Sequence, residues 1–356
     1  VPGVFFDVNP GKRRGHLPVL QESRANVARG QKVAVIGAAV AAPGSMNPLT
    51  LAPAAIGIGV ARRLAQGSEP VRGRLAFVFQ PAEEGPPQGE EGGAKMMVKE
   101  GVLANPTVDA AFALHINAKQ EVNGIYYKPG GTYASADDFR ITVKGKQTHG
   151  GYPWNGIDPI VTSAHIITAL QTIVSRRMEL TSNAAVVTVG KIQGGVRSNI
   201  IPEQVEMIGT LRALTPEDRT RIHDRVRQIA TSVAESMGAT AEVQIPVTTE
   251  YPVTYNNEAL TAAMVPVLQA VAGPGRVRLV PAETGAEDFS FIAQKVPSFY
   301  IQLGGRPANV KEEDAADHHT PDFYVDDSGL GLGVKALTAM TLHYMRTRPA
   351  TRAAVP

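Results

Sequence analysis

Hydrophobic and polar positions follow one pattern in the outer parts of the chain and another in its middle. The outer parts contain continuous apolar runs of strand length, each followed by turn residues, and segments with helical spacing of apolar positions. This alternation of buried strands and helices is typical of an α/β domain in which helices flank a mixed sheet. The pattern predicts strands at 71–80, 108–116 and 298–305 and helices at 92–103, 258–271 and 328–345.

The middle of the chain alternates polar and apolar residues, as strands with one solvent-exposed face do. The order strand, helix, strand, strand, helix, strand predicts a small α+β domain with four antiparallel strands and two helices. Because it interrupts the α/β pattern, we expect an inserted domain at 137–248 and a larger α/β domain formed by 1–136 and 249–356. Its predicted strands are 137–150, 184–195, 205–214 and 241–249, and its predicted helices are 159–176 and 215–237.

The composition excludes several kinds of partner and site. The 356 residues carry a net charge of +2 without clusters of Lys and Arg, so we expect no nucleic-acid partner. The chain has no Cys, and any metal would therefore be held by His, Asp and Glu. Prolines interrupt the longest apolar run, 33–60, and residues 1–14 lack the pattern of a signal peptide. We expect a soluble protein with no membrane partner, in the cytoplasm or the periplasm.

Two acidic residues and one histidine follow apolar strands. Glu83 and Glu84 stand in FQPAEEG, where successive side chains of an extended loop point in opposite directions. One carboxylate could then reach a metal while the other faces a water, although a solvated acidic turn explains the pair equally well. His115 follows the apolar AAFAL at the end of a predicted strand, which fits either a buried core histidine or a metal ligand at the sheet edge.

Further candidates lie downstream. His318 and His319 stand in DHHTPDF, and paired histidines close to a proline are uncommon as packing elements. His149 in KQTHGGYPW precedes glycines that permit close backbone approach and leave the imidazole available to a ligand, although an unpartnered loop histidine is the alternative. Asn199 in RSNIIP and Arg212 in GTLR are further candidates in the inserted domain, both expected on its strands, although 199 falls between two of the predicted ranges. Arg212 could clamp a substrate carboxylate or form a surface ion pair.

A last acidic pair follows an apolar segment in GAEDFSF. Its members are Glu287 and Asp288, and their spacing assigns them no role.

The strings in this chain, taken in order, resemble the amidohydrolase branch of the dinuclear-zinc aminoacylase and carboxypeptidase family. That branch includes hippurate hydrolase, N-acetyl-amino-acid deacetylases and indoleacetyl-amino-acid hydrolases. The resemblance runs from about Gly59 to Tyr344 and implies a zinc-exopeptidase-like catalytic domain. Each string is a weak signal alone, whereas the ordered set is specific: FQPAEEG, LHI, THGGYP, GIDPI, ALQTIVSR, AAVVTVG, NIIP, GTLR, GAEDFSF and HTP.

The resemblance implies a role for each matching residue of the catalytic domain. Glu83 would be the general base, and Glu84, His115 and His319 would be metal ligands. The family holds two zinc ions per subunit, with Mn²⁺, Co²⁺ or Ni²⁺ as alternatives. A metal-bound water, deprotonated by Glu83, would attack the scissile carbonyl.

The resemblance implies that the smaller domain, 137–248, is a lid and dimerisation domain. His149 and Asn199 would hold the substrate carbonyl or carboxylate, and His149 could serve the active site of the partner in a homodimer. The implied substrate is an N-acyl amino acid. An exopeptidase acting on dipeptides shares the same residues and would differ only in the shape of its pocket.

The chain departs from the family pattern near its amino terminus. The family carries a His-x-Cys-Gly-His-Asp motif before the helix that ends GVARRLA, and this motif supplies further metal ligands. Ungapped counting places its cysteine, second histidine and acid on Pro48, Thr50 and Leu51, none of which binds zinc. Three explanations stay open: residues 1–55 are wrongly assigned, the protein is a one-metal variant, or it is a pseudoenzyme that binds acyl amino acids without hydrolysis.

Overall fold

A computed structural model describes residues 4–6, 33–40, 48–67, 73–82, 90–104, 107–179 and 181–347. The predicted site residues Glu83 and Glu84 lie outside these ranges.

Strands and helices are numbered in chain order. The strands are β1 (Val4–Phe6), β2 (Val33–Val40), β3 (Arg74–Pro81), β4 (Ala110–Glu121), β5 (Ile125–Tyr127), β6 (Gly130–Tyr133), β7 (Ala136–Lys144), β8 (Thr148–His149), β9 (Ala185–Gly194), β10 (Ile200–Ile201), β11 (Gln204–Ala213), β12 (Thr240–Gln244), β13 (Glu250–Tyr251), β14 (Thr254–Asn256), β15 (Val277–Leu279) and β16 (Ser298–Arg306). The helices are α1 (Pro48–Gln66), α2 (Gly93–Lys99), α3 (Pro159–Arg177), α4 (Pro216–Ser236), α5 (Glu258–Ala272), α6 (Ser290–Ala293) and α7 (Leu330–Thr347).

The chain divides into two compact units. The first comprises 1–132, 254–281 and 287–356, and the second comprises 133–253 together with 282–286. The predicted limits of the inserted domain, 137 and 248, fall inside the main segment of the second unit.

The first unit is a seven-stranded mixed sheet in the order β1-β3-β2-β4-β16-β5-β15. Strands β3, β2, β4 and β16 run parallel, so their carboxyl ends meet at one edge of the sheet. Helices α1, α5 and α7 belong to the same hydrophobic core as these strands, which explains why the strand sequences are continuous apolar runs. The core includes Ile56, Phe112, Leu260, Phe299 and Met340, all fully buried.

The second unit is an antiparallel sheet in the order β12-β7-β11-β9, with β13 paired to β7. One face packs against α3 and α4 over a separate core, to which Phe139, Ile166 and Val226 contribute. The helices begin where the sequence predicts them to begin. Asp158 caps α3, and the Thr215 hydroxyl caps α4 by accepting a hydrogen bond from the amide of Asp218. The α/β class with mixed sheet and flanking helices is confirmed.

Several predicted elements were wrong in extent. The predicted strand 241–249 ends at Gln244 as β12, and the predicted helix 92–103 ends at Lys99 as α2. The predicted strand 137–150 is broken into β7 and β8, because Gly145 approaches the backbone of Ile157 too closely for any side chain. The predicted strand 108–116 continues as β4 to Glu121, since β16 pairs with it beyond His115. None of the described helices is long and apolar enough to cross a membrane.

Candidate metal and catalytic site

His115 lies in the middle of β4, just beyond the part of that strand that pairs with β2. Its Nδ1 is 2.6 Å from the carbonyl oxygen of Ile116. A carbonyl oxygen can only accept, so this contact requires a proton on Nδ1, and in the neutral imidazole Nε2 is then the nitrogen that can bind a metal. In a metal-binding histidine one ring nitrogen binds the metal, and the other commonly donates to a backbone carbonyl.

The segment 315–319 is tied to β4 next to His115. The amide of Ala118 donates to Nε2 of His318 at 3.0 Å. Lys119 donates to the carbonyl oxygen of Ala315 at 2.5 Å, and its Nζ lies 3.1 Å from Asp317. These contacts place the imidazole of His318 over that of His115, with ring centroids 5.5 Å apart and planes inclined by 18°.

His318 is a packed histidine. Burial, together with the neighbouring His115 and His319, lowers its pKa to about 4, so its imidazole is neutral at pH 7. The edge of its ring meets Phe323 at a centroid distance of 5.4 Å. Because its Nε2 already accepts from Ala118, this nitrogen serves to position the histidine pair on β4.

His319 follows with its ring 6.5 Å from that of His318 and is exposed. Its φ of 62° lies in the left-handed region, which residues other than glycine seldom adopt. Ala82, the residue before Glu83, also has a positive φ of 53°. Such conformations are frequently held at functional sites, and these two fall on or beside residues that the sequence selects.

The described part of the first unit thus brings His115 together with the His318–His319 pair. Over the described ranges, no three His, Asp or Glu side chains are grouped so that they could hold a metal ion. The donor set still fits a divalent transition metal, because the neutral imidazole of His115 presents an unprotonated nitrogen and imidazole suits such ions. The carboxylate that the sequence assigns to this site, Glu84, is outside the described residues.

In the second unit, His149 and Asn199 come together. β8 and β10 pair through His149 and Ile200, and the carbonyl oxygen of Asn199 accepts from the amide of Gly150 at 2.8 Å. Nδ1 of His149 accepts from the amide of Gly151 at 3.0 Å, which places the imidazole proton on Nε2. The His149 side chain is exposed and lies against Tyr152, so it offers an N–H donor to a ligand.

Arg212 lies on β11, where it pairs with Val186 of β9, and is half-buried. Burial lowers the pKa of its guanidinium, and the nearby Asp137 partly opposes that change. Asp137 itself is a buried acid that sequence reasoning missed. It receives two hydrogen bonds from Arg219, at 2.8 and 2.6 Å, and lies 2.9 Å from His223.

Comparison with known proteins decides the family. Residues 50–343 match peptidase family M20/M25/M40. The chain is 34% identical over 287 residues to thermostable carboxypeptidase 2 of Saccharolobus solfataricus. The aligned region covers 81% of this chain and 70% of the relative. The chain belongs to peptidase family M20/M25/M40. It is therefore a hydrolytic enzyme of the class that acts on amide bonds.

Other M20 proteins are similar over the same region. N-acetyldiaminopimelate deacetylase of Priestia megaterium is 35% identical over 250 residues, which is 70% of this chain but only 64% of the relative. A crystal structure of the Bacillus subtilis YXEP protein, a dinuclear metal-binding peptidase of the M20 family, superimposes with a TM-score of 0.70. The two sequences are 27% identical, and the superposition covers 90% of this chain and 84% of the YXEP chain.

This M20 chain also contains a buried acidic pair whose partners sequence reasoning missed. Asp288 accepts from the side-chain amide of Gln80 and from the backbone amide of Ala94, each at 2.5 Å. Glu287 accepts from the hydroxyl of Tyr300 at 2.6 Å. An acidic pair beside an apolar segment was the only sequence signal, and nothing in that signal identified the partners.

Proposed function

We propose that this M20 chain is a metal-dependent amidohydrolase that cleaves the amide bond of an N-acyl amino acid or a small peptide. The observation that carries the proposal is His115 on the central strand β4, with Nε2 available to a metal in its neutral imidazole and with the His318–His319 pair held against it. The deacetylase and the carboxypeptidase named above support the substrate class, because both names describe amide substrates that contain amino acids.

His115, His319 and Glu84 are the residues that would hold the metal, with zinc as the proposed ion. When bound, the metal supplies Lewis acidity that polarises the scissile carbonyl and lowers the pKa of a water molecule. Glu83 is proposed to remove a proton from that water and to deliver it to the departing amine. His318 accepts a hydrogen bond from the Ala118 amide of β4 and would thereby keep the adjacent His319, a proposed metal ligand, in place.

The second unit is proposed to bind the substrate. The Nε2–H of His149 would donate to the substrate carbonyl oxygen, where negative charge develops during attack. Asn199 lies beside His149 and would bind the same end of the substrate. Arg212 would pair with the α-carboxylate, for which a planar guanidinium gives two parallel hydrogen bonds.

We also propose a homodimer formed through the second unit. Among the described strands of its sheet, β9 lies at the edge, and its exposed residues include Ile192, which is 50% accessible. Val196, which follows β9, is 91% accessible. Exposed apolar side chains along an unpaired strand edge favour association with a second strand, so we propose a dimer through this edge.

Metal analysis combined with a hydrolysis assay tests the function. We expect the purified chain to bind about two equivalents of zinc, as two-metal sites do, and to release the amino acid from N-acetyl amino acids. Dialysis against a chelator should abolish turnover, and added zinc should restore it. A metal-free chain that binds N-acyl amino acids but does not hydrolyse them would instead show a pseudoenzyme. The sequence argument for that alternative is that Pro48 and Thr50 stand where the family has metal ligands.

A further inference from the structure

The acidic pair of the GAEDFSF string has no role in the function proposed above, yet both of its side chains are buried. Glu287 and Asp288 are 5% and 3% accessible. Burying a carboxyl group beside a second one is costly, because each disfavours the charge of the other and both lose water. Burial and the neighbouring Glu287 raise the pKa of Asp288 to about 8.

The partners of Asp288 come from two elements that are separated in sequence. Gln80 stands at the carboxyl end of β3, and it donates through its side-chain amide to Oδ1. Ala94 stands in the first turn of α2, and its backbone amide donates to Oδ2. The chain between these two partners carries Glu83 and Glu84.

The backbone at the second contact is shaped to admit the carboxyl group. Gly93 has a φ of +63°, and a Cβ at this position would lie 2.1 Å from Oδ2 of Asp288. Only glycine therefore permits this approach. At the first contact, Gln80 is 2% accessible, so its amide has little access to water as an alternative partner.

The other member of the pair, Glu287, is held by hydrogen bonds as well. It accepts from the Tyr300 hydroxyl of β16 and from the amide of Phe289 at 3.2 Å. The acidic pair is thereby fixed to β16, the strand that pairs with β4 opposite His115.

We propose that Asp288 is a positioning residue that anchors both ends of the Glu83–Glu84 segment to the sheet that carries His115. It acts by joining β3 to the start of α2 through one carboxyl group. The role of Glu83 and Glu84 in this proposal rests on the proposed function, whereas the anchoring itself does not.

The test compares Asp288→Leu with a matched control. A leucine of similar size offers no acceptor to the Ala94 N–H and no partner to the Gln80 amide, whichever way that amide is turned. Asp138→Leu is the control, because Asp138 also bridges two segments by accepting from Thr248 and from the backbone amides of Val247 and Thr249. Asp138 belongs to the second unit, whereas Gln80 and Ala94 belong to the first.

We expect Asp288→Leu to lower kcat about 10- to 100-fold, as loss of a group that orients a metal site does, and to weaken zinc binding, with KM little changed. Hydrogen exchange at the Ala94 amide should become faster. Asp138→Leu should leave kcat, zinc affinity and Ala94 exchange at the wild-type level. The conservative variant Asp288→Asn keeps one oxygen for the Ala94 N–H and can donate to a turned Gln80 amide, so it should retain most of the kcat and of the Ala94 protection.

Equal kcat and equal Ala94 exchange in wild type and Asp288→Leu would overturn the anchoring role. If Asp288→Leu does not fold, Gln80→Met removes one contact only, and wild-type kcat in that variant would overturn the role as well. A wild-type chain with neither zinc nor hydrolysis would refute the proposed function, and exchange at Ala94 would still decide the anchoring.

Discussion

Each of the two units buries an aspartate, and the two side chains have opposite surroundings. In the second unit, Asp137 is 1% accessible and receives both Arg219 hydrogen bonds. Burial alone would raise its pKa, but the hydrogen bonds from Arg219 and His223 hold the pKa below the usual 3.8. In the first unit, the donors that Asp288 meets among the described residues are uncharged, its neighbour is acidic, and its pKa is raised to about 8.

The difference teaches how to distinguish a structural acid from one kept for function. A carboxylate matched by a bidentate guanidinium is compensated within the fold, so stability alone explains it. A carboxyl group held by neutral donors beside another acid disfavours folding, and its retention calls for a second explanation. We therefore assign stability to the cluster around Asp137 and positioning to Asp288.

The largest expected effect is the loss of hydrolysis when a proposed metal ligand of the first unit is removed. His115→Ala removes a proposed metal ligand, and we expect kcat/KM for an N-acetyl amino acid to fall about 10,000-fold, or ~5 kcal/mol. His165→Ala, on the exposed face of α3, is the matched control and should keep full activity. Steady-state kinetics and zinc content of both variants test this, and an active His115→Ala enzyme would refute the assignment.

The next effect concerns the stability of the second unit. Arg219→Ala leaves the buried Asp137 without its main partner, and we expect a loss of about 3–5 kcal/mol in the free energy of unfolding. Arg221→Ala removes an exposed pair with Asp218 instead and should cost less than about 1 kcal/mol. Urea unfolding of the two variants measures the difference. Equal losses would show that the cluster around Asp137 does not stabilise the second unit as described.

Substrate binding gives a smaller effect. Arg212→Ala should raise KM about 10- to 100-fold for a substrate with a free carboxylate, corresponding to a lost charged hydrogen bond of ~1.5–3 kcal/mol. The carboxamide of the same substrate should be little affected. Arg140→Ala, which breaks an ion pair with Glu206, serves as the control. An equal rise in KM for the acid and the amide would contradict the proposed carboxylate contact.

The smallest effect is a dependence of stability on pH near neutrality. Between its unfolded pKa of 3.8 and its folded pKa of about 8, Asp288 binds a proton in the folded state and releases it on unfolding. Its contribution to stability therefore decreases as pH rises, by at most ~1.4 kcal/mol per pH unit. Asp137 contributes no slope in that window, because its stabilisation is lost only as pH falls below 3.8 through the lower folded pKa.

Urea unfolding of wild type and Asp288→Asn at about pH 6.5 and 7.5 isolates this contribution, at most ~1.4 kcal/mol over that interval. The variant should lose less stability than the wild type across the interval, and equal slopes would contradict the buried, protonated state of Asp288.

Much of the fold could be predicted from local patterns. Apolar runs identified the strands that contain Phe112 and Phe299, and the Thr215 cap identified the start of α4, because periodicity and capping are properties of neighbouring residues. Strand ends were less predictable. β4 extends past His115 because β16, nearly 200 residues later in the chain, continues to pair with it.

The sequence named individual candidate residues, but it did not predict which other residues they contact. The sequence identified His318 and His319 as a pair, whereas stacking of His318 on His115 depends on the tertiary contact with Ala118. The same limit applies to Asp137 and Asp288. Their pKa values depend on donors from distant elements, and no local pattern records which donor a buried acid meets.

The central claim is that His115 binds a metal. Crystals grown with zinc and measured at the zinc absorption edge test it directly, since the anomalous signal locates the ion without reference to activity. We predict a peak about 2.0–2.1 Å from Nε2 of His115, the usual zinc–imidazole distance. A map with no peak at His115 in fully zinc-saturated crystals would contradict the account.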